Sequence, residues 1–272
     1  MNRIAVLITC YNRKDKTLKC LSHLFNQDIS VDVFLVDDGC TDGTGKAVME
    51  YYPTVHVIWG DGSLFWNRGM YTAWCEAEKL DYDFYLWLND DTYIFSDSLA
   101  MMLESSSEKN HKALIVGASC DPNDQTVTSF GADWKSKALF PNGALQLCDA
   151  FGGNFVLIPK YVYKKCGKLD YYYRHSLGDI DYARHVVSEG IEIFLAPKHI
   201  GVCVNDFKTP KYFDKSLTLK ERLRVLHSPL SYSDPRDFFY FYKKHEGVLS
   251  ALLHLTSIYL KFFIKSLLMK KQ

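Results

Sequence analysis

An apolar run of strand length in this sequence stops at adjacent acidic residues. Residues 84–88 are all aliphatic or aromatic, and Asn89, Asp90 and Asp91 follow directly. Such a run predicts a buried central strand, and open α/β sheets bind ligands at the carboxyl ends of such strands. Adjacent carboxylates repel each other, so they predict a shared cation such as a divalent metal holding a phosphate. A strand followed by a solvated Asn/Asp turn is the alternative.

Short apolar strands alternate with helices around this run. Strands are predicted over residues 4–9, 31–36, 55–59 and 84–88, with an amphipathic helix after each of the first three. This pattern is typical of a mostly parallel, doubly wound sheet with helices on both faces. Right-handed crossovers place the loops that follow the strands on one edge of the sheet. We therefore expect four residues from these loops to share one crevice: Tyr11, Asp38, Asp61 and Asp91.

Further elements are predicted downstream. Strands are expected over residues 113–119, 155–158 and 192–196. One helix is expected over residues 160–166 and another ending at Glu189, and a hairpin is expected within residues 126–147. Asn67 is expected to cap the third helix, and Thr41 or Asp42 the second. Arg184 lies one helical turn beyond Asp181 and is expected to pair with it.

The chain changes character towards its end, which predicts a domain over residues 1–205 and a helical extension over 206–272. From residue 247 it is strongly apolar, with a narrow polar stripe: Ser250, His254, Ser257, Lys261 and Lys265. A membrane-spanning helix needs about 20 mainly apolar residues, and lysines interrupt this one. An amphipathic helix in the membrane interface is therefore expected, with a helix packed on the domain as the equal alternative.

Composition excludes some classes of protein. The sequence has 32 basic residues (Lys and Arg) and 32 acidic residues (Asp and Glu). The resulting net charge of zero argues against a nucleic-acid-binding protein. None of the 8 cysteines forms a Cys-x-x-Cys pair, which argues against a zinc or redox site. With no secretory signal at the amino end, we expect a cytoplasmic protein, peripheral on the inner face of the cell membrane.

The loops after the strands lack the common nucleotide-binding motifs. No Gly-x-Gly-x-x-Gly follows the first strand and no P-loop is present, which argues against a dinucleotide oxidoreductase and a P-loop enzyme. A crevice of acids predicts phosphate held through Mg²⁺ or Mn²⁺, since these ions prefer oxygen ligands.

Four motifs, in order, resemble a known family. They are Thr9-Cys10-Tyr11-Asn12-Arg13, Val36-Asp37-Asp38-Gly39-Cys40-Thr41-Asp42-Gly43-Thr44, Asn89-Asp90-Asp91 and Gly178-Asp179-Ile180-Asp181. Together they resemble the family 2 glycosyltransferases with the GT-A fold, over about residues 1–205. Residues 60–66 resemble the rhamnosyltransferase-like branch of that family.

The resemblance implies a nucleotide-diphospho-sugar donor. Its nucleotide would contact Thr9, Tyr11, Asn12, Arg13, Asp38, Arg68 and Asp90. Tyr11 would lie against the base, Asp38 would bind the base or ribose, and Arg68 would reach the base or a phosphate. Asp91 would ligate the Mn²⁺ or Mg²⁺ that offsets diphosphate charge, and Asp90 would bind a sugar or ribose hydroxyl.

The resemblance also implies a base for the transfer. Asp179 would deprotonate an acceptor hydroxyl as its oxygen attacks the anomeric carbon from the opposite face, which inverts the configuration. Asp181 would lie by the sugar or acceptor, orient its loop or cap the next helix, and is the second candidate for the base. Three residues would line the sugar pocket: Gly152, Gly153 and Asn154.

Two positions depart from the family pattern. Gly178 stands where the family has Glu, and residues 201–206 offer Asn205 and Asp206 where a metal-binding His is expected.

We therefore expect an inverting glycosyltransferase that acts on a glycan or lipid-linked acceptor in surface polysaccharide synthesis. The departures favour, as the alternative, a non-catalytic nucleotide-sugar-binding protein of the same fold. A nucleotidyltransferase is disfavoured, because residues 10–13 are not the glycine- and basic-rich loop that holds a triphosphate.

Overall fold

The computed structural model describes residues 2–205 and 210–269, and its first part alternates strands and helices. The elements are β1 (Ile4–Cys10), α1 (Lys14–Phe25), β2 (Asp32–Asp37), α2 (Thr44–Tyr51), β3 (His56–Trp59), α3 (Phe65–Ala77) and β4 (Phe84–Leu88). The strands pair in parallel in the spatial order β4-β1-β2-β3. The predicted succession of strands and helices is confirmed.

The sheet continues beyond β4 with strands of both directions. The elements are β5 (Tyr93–Ile94), α4 (Ser98–Glu108), β6 (Leu114–Cys120), β7 (Thr128–Phe130), β8 (Ala132–Trp134), β9 (Lys137–Leu139), β10 (Gln146–Cys148), β11 (Ala150–Phe151), β12 (Phe155–Pro159), α5 (Lys160–Cys166), α6 (Gly178–Ser188) and β13 (Ile193–Val202). β12 lies antiparallel between β4 and β6, and β13 is parallel to β6. The predicted hairpin is β8–β9. The sequence did not predict the reversed β12, since the short strands before it replace a helical crossover.

Helices cover both faces of the sheet, as expected. On one face Met70 and Trp74 of α3 pack with Trp87 of β4, and on the other Leu21 of α1 packs with Leu86. Trp74 is fully buried, and truncating such a residue to Ala costs about 3–5 kcal/mol. This packing fixes β4, so the acidic residues after it have a defined position.

The extension forms a helical unit against this domain. It contains α7 (Leu219–Leu226), α8 (Pro235–Glu246) and α9 (Val248–Met269). α7 begins with a capping box of Thr218 and Glu221, and the Asp234 side chain caps α8. Phe262 of α9 packs with Leu226 of α7 in a small core of their own.

α9 packs through one face and exposes the other. Ala251, Phe262 and Ser266 are buried. The opposite face is apolar and exposed: Leu249, Leu252, Leu253, Leu260, Phe263, Ile264, Leu267 and Leu268. Among the described residues, α9 is the helix that is long and apolar enough to cross a membrane by length and composition alone. The helix therefore combines packing on the extension with a large unpartnered apolar face.

Candidate active site

The loops after β1 and β2 are tied together at the carboxyl edge of the sheet. Asn12 has φ 49°, and its side-chain oxygen accepts hydrogen bonds from the backbone N–H of Thr41 (2.7 Å) and Asp42 (3.3 Å). Gly43, and not the predicted Thr41 or Asp42, occupies the cap position of α2. Asp42 nevertheless accepts a hydrogen bond from the N–H of Thr44, the first residue of that helix. Tyr11 beside Asn12 is 57% exposed, so its ring is available to a ligand.

Asp38 organises the loop that leads into α3. The carboxylate is buried, and it accepts from the N–H of Gly62 (2.9 Å), Leu64 (3.3 Å) and Phe65 (2.9 Å). Free N–H groups at a helix start attract negative charge, so this carboxylate stabilises the first turn of α3. The expected contact of Asp38 with the base or ribose stays a prediction, alongside this structural role.

Arg13 lies between the two acids that follow β4. The guanidinium Nη1 is 2.7 Å from Asp91 and 3.2 Å from Asp90. Burial raises the pKa of Asp90 to about 6, against the lowering effect of Arg13. Asp90 is almost completely buried, whereas the Asp91 side chain keeps 22% of its exposure. Asp91 is therefore the more accessible acid, and Arg13 provides a positive charge to both carboxylates.

These acids fit a metal that the donor itself helps to bind. Among the described residues, no group of three or more His, Cys, Asp or Glu side chains could hold a metal ion. Mg²⁺-type ions are commonly held by one or two carboxylates together with substrate phosphates, and Asp91 offers such a carboxylate. The thiol of Cys203 lies 3.8 Å from Asp91, in the segment where a His was expected. Asp206, the other acid noted there, lies outside the described residues.

Asp179 lies at the start of α6 beside the candidate sugar pocket. Its carboxylate accepts from the N–H of Gly153 (3.0 Å) and of Ile180 (2.9 Å). Burial raises the pKa of Asp179 although these hydrogen bonds oppose it. A Cβ on Gly153 would lie 2.5 Å from the Trp66 ring, so only glycine allows this close approach.

Trp66 connects this acid to the strand end after β4. The indole N–H donates to the side-chain oxygen of Asn89 at 2.7 Å, and the ring packs edge-to-face on Trp87. Asn154, next to Gly153, accepts from the N–H of Asn89 through its carbonyl. The candidate base and the candidate donor-binding acids therefore belong to one continuous wall. Trp66 has no predicted role of its own, because no local pattern in the sequence marks Asn89 as its partner.

The structure explains the glycine at position 178. A Cβ there would overlap the Asn67 side chain, so a Glu does not fit. Asn67 is buried within α3, where its amide donates to the carbonyls of Asp170 (2.8 Å) and Tyr173 (2.9 Å). The prediction that Asn67 caps α3 is therefore wrong: the residue binds the loop before Asp179.

Asp181 is a buried anchor. Its Oδ1 accepts from Tyr173 (3.0 Å) and His245 (2.8 Å), and its Oδ2 from Lys244 (2.8 Å). The expected contact with sugar or acceptor does not fit, because both oxygens are occupied and the residue is 2% exposed. The expected Arg184 pair is also wrong, since Arg184 binds Glu246 at 2.7 Å.

Arg68 has a positioning role as well. Its guanidinium donates to the carbonyls of Tyr171 (3.0 Å) and Tyr172 (3.2 Å) and lies over the Tyr171 ring. Arg68 therefore holds this loop, and its expected contact with the base or phosphate stays a prediction.

The remaining expected contacts with nucleotide and sugar stay predictions. Thr9 packs against α3 at Gly69, and the N–H of Gly152 donates to Gly131. His175 was not singled out by sequence, yet burial and Arg13 lower its pKa to about 4.

Comparison with known proteins places the chain in a family. Residues 5–160 match the profile of Glycosyl transferase family 2. The chain belongs to this family. Over 125 residues, 46% of this chain and 91% of its relative, it is 28% identical to protein RfbJ of Shigella flexneri. It is thus a glycosyltransferase, with a role in sugar transfer.

Solved structures match the fold over almost the whole chain. The mannosyltransferase PcManGT from Pyrobaculum calidifontis, solved with GDP-Man and Mn²⁺, has a TM-score of 0.57 at 14% identity, covering 94% of this chain and 74% of that one. TarS 1–349 of S. aureus has a TM-score of 0.59 at 12% identity, covering 99% and 92%. Its complex with UDP-GlcNAc has a TM-score of 0.56 at 14% identity, covering 97% and 89%. These likenesses confirm the GT-A fold.

Proposed function

We propose that this protein is an inverting glycosyltransferase, which moves a sugar from a nucleotide-diphospho-sugar to a hydroxyl of a glycan or lipid-linked acceptor. The observation that carries the proposal is the wall formed by Asp179, Gly153, Trp66 and Asn89, which brings an acid of raised pKa to the acids after β4. Solved proteins of this fold bind GDP-Man or UDP-GlcNAc, which supports a donor of this class.

In this mechanism Asp179 accepts the proton of the acceptor hydroxyl. The hydroxyl oxygen forms a bond to the anomeric carbon while the bond from that carbon to the diphosphate oxygen breaks, and its electrons leave with the diphosphate. Attack from the face opposite the leaving group inverts the configuration. The backbone N–H groups of Gly153 and Ile180 keep the carboxylate oriented for this transfer.

The donor side of the site is proposed to involve a divalent metal. Asp91 would hold Mn²⁺ or Mg²⁺, which when bound offsets the charge of the diphosphate. Asp90 would bind a sugar or ribose hydroxyl, and the exposed ring of Tyr11 would stack on the base. Arg13 shares its charge between both acids until a ligand draws it away.

Surface polysaccharide synthesis at the cytoplasmic face of the membrane is the proposed setting. Residues 1–205 would form the catalytic domain, and 206–272 an extension whose α9 lies in the membrane interface. The exposed apolar face of α9, with Lys261 and Lys265 along the helix, supports this placement. It would bring the site close to lipid-linked acceptors.

The test is a panel of nucleotide-sugars that includes UDP-GlcNAc, GDP-Man and a deoxyhexose donor such as dTDP-rhamnose. The full chain should release nucleoside diphosphate in a metal-dependent reaction that needs an acceptor. NMR of the product should show an anomeric configuration opposite to that of the donor. Retention of configuration would exclude the inverting mechanism.

A non-catalytic nucleotide-sugar-binding protein is the second candidate. The ion pairs of Arg13 with Asp90 and Asp91 favour it, because they satisfy both acids without a metal. Tight binding of one donor of the panel without turnover, against a broad set of glycan and lipid-linked acceptors, would support this reading.

A further inference from the structure

The loop before Asp179, residues 167–177, lies between α3 and α8. From the α3 side, Asn67 and Arg68 bind four of its carbonyls: those of Asp170, Tyr171, Tyr172 and Tyr173. The N–H of Asn67 also donates to the carbonyl of Arg174 at 2.9 Å. On this side, the loop is therefore held through its backbone by α3.

From the other side, α8 reaches two carboxylates, those of Asp170 in the loop and of Asp181 in the first turn of α6. Lys244 bridges them, with its Nζ 2.9 Å from Asp170 and 2.8 Å from Asp181. His245 lies 2.8 Å from Asp181, and the Tyr240 hydroxyl donates to Asp170 at 3.0 Å. One lysine of the extension thus links the loop to the first turn of α6, and Asp179 lies in that turn, two residues before Asp181.

An aromatic stack supports the same contact. The rings of Tyr172 and Tyr240 lie 3.7 Å apart at 14°. Burial alone would lower the pKa of Lys244, but the two carboxylates offset this and leave its pKa raised. Lys244 is therefore a charged group at neutral pH.

The backbone next to Asp179 requires such support. Leu177 has φ 69°, a left-handed conformation that a leucine rarely adopts. Strained residues of this kind persist where their surroundings hold them, often at active sites. The segment before α8 also lies within electrostatic range of the acid, because the pKa of Tyr232 is raised by burial and then by the charge of Asp179.

We infer that Lys244, acting with Tyr240 through Asp170 and Asp181, is a positioning residue that holds Asp179 in its reactive orientation. The inference rests on the proposed role of Asp179 as the base. It makes α8 a working part of the catalytic site, although α8 lies outside the residues that match the family. None of these contacts involves Tyr11, Asp90 or Asp91, the residues proposed to bind the donor, so their loss should lower the rate of transfer and leave donor binding intact.

The experiment compares variants of the full chain by hydrogen–deuterium exchange and by kinetics. In Lys244→Met, amide exchange in residues 170–179 should rise by about tenfold. With the donor of the panel that is turned over, kcat should fall by about 10²-fold while the donor KM changes little. Lys244→Arg should restore most of the rate. Lys243→Met, which removes the exposed lysine next to Lys244 on α8, is the matched control and should change neither measurement.

Tyr240→Leu covers the case in which Lys244→Met fails to fold, because it leaves no buried charge unpaired. It should raise exchange in the same residues and lower kcat to a smaller degree. Unchanged exchange in residues 170–179 in both variants would overturn the inference, as would a rise in donor KM at constant kcat. If Asp179→Asn retains full turnover, the role of the base fails instead, and the exchange data still test the role of Lys244.

Discussion

The acids at the strand ends and the acids around α6 are held in different ways. Asp38 and Asp90 bind groups from neighbouring strand ends, namely backbone N–H groups in one case and Arg13 in the other. Asp181 takes two of its three partners from the extension and the third, Tyr173, from the loop that precedes Asp179. The proposed donor side is therefore held by the loops that follow the parallel strands, whereas the proposed acceptor side also depends on contacts with α8.

The largest effect is expected from Asp179→Asn, which removes the proposed base but keeps the shape of the side chain. Transfer should fall by about 10³-fold, since a positioned base contributes about 10²–10⁴-fold. Donor affinity, measured by calorimetry, should stay as in the unmodified protein. Asp28→Asn, at an exposed aspartate in the loop before β2 on the opposite edge of the sheet, is the control. Full transfer activity in Asp179→Asn would exclude this acid as the base.

On the donor side, Asp91→Asn should reduce metal-dependent turnover by about 10²-fold, because a metal contributes several kcal/mol of charge stabilisation. The measurement is a Mn²⁺ titration of the initial rate at fixed donor. Asp90→Asn, at the more buried neighbour, should keep the Mn²⁺ dependence and weaken donor binding instead. A normal Mn²⁺ profile in Asp91→Asn would contradict the assignment of the metal ligand.

The pH dependence of turnover tests the environment of Asp179. A base must be ionised to accept a proton, and burial raises the pKa of Asp179. The rate should therefore fall on acidification at a higher pH than for an aspartate of ordinary pKa, about 3.9. Each pH unit below the raised pKa of Asp179 should lower kcat about tenfold. Lys244→Met should move this acid limb to higher pH by loosening the hydrogen bonds from Gly153 and Ile180 that lower the pKa of Asp179, whereas Lys243→Met should leave the limb in place.

A variant of Arg13 tests whether the arginine competes with a divalent metal for the acids after β4. Arg13→Gln removes the positive charge between Asp90 and Asp91, so a divalent ion gains by replacing it. Without donor, Mn²⁺ affinity measured by electron paramagnetic resonance should rise about tenfold. Lys19→Gln, a lysine of α1 whose ammonium lies over the Tyr93 ring, is the control. Equal or weaker Mn²⁺ binding in Arg13→Gln would show that the arginine does not compete with the metal.

The same comparison shows what the sequence could predict. The acids after β2 and β4 were predictable because strand, turn and acid follow one another within a few residues. The pairing of Arg13 with Asp91 was accessible too, since β1 and β4 are neighbours in the order that such sheets adopt. The partners of Asp181 lie 63 and 64 residues away on α8, and no local pattern marks them. The overlap of Asn67 with any side chain at position 178 is likewise visible only in the folded chain.

The smallest effect on turnover is expected from changes on the exposed face of α9. These changes test whether membrane binding by α9 is separate from the positioning role of α8. Leu260→Glu with Leu267→Glu places charges on residues that are 56% and 65% exposed, away from α8. Binding to phosphatidylglycerol-containing vesicles, measured by flotation, should be lost because apolar contact with the interface is removed. Turnover of a soluble acceptor and exchange in residues 170–179 should stay unchanged. Val127→Glu with Val187→Glu adds the same charges on exposed residues elsewhere and should leave vesicle binding intact. If the α9 variant slowed turnover of the soluble acceptor, α9 would share the positioning role that we assign to α8.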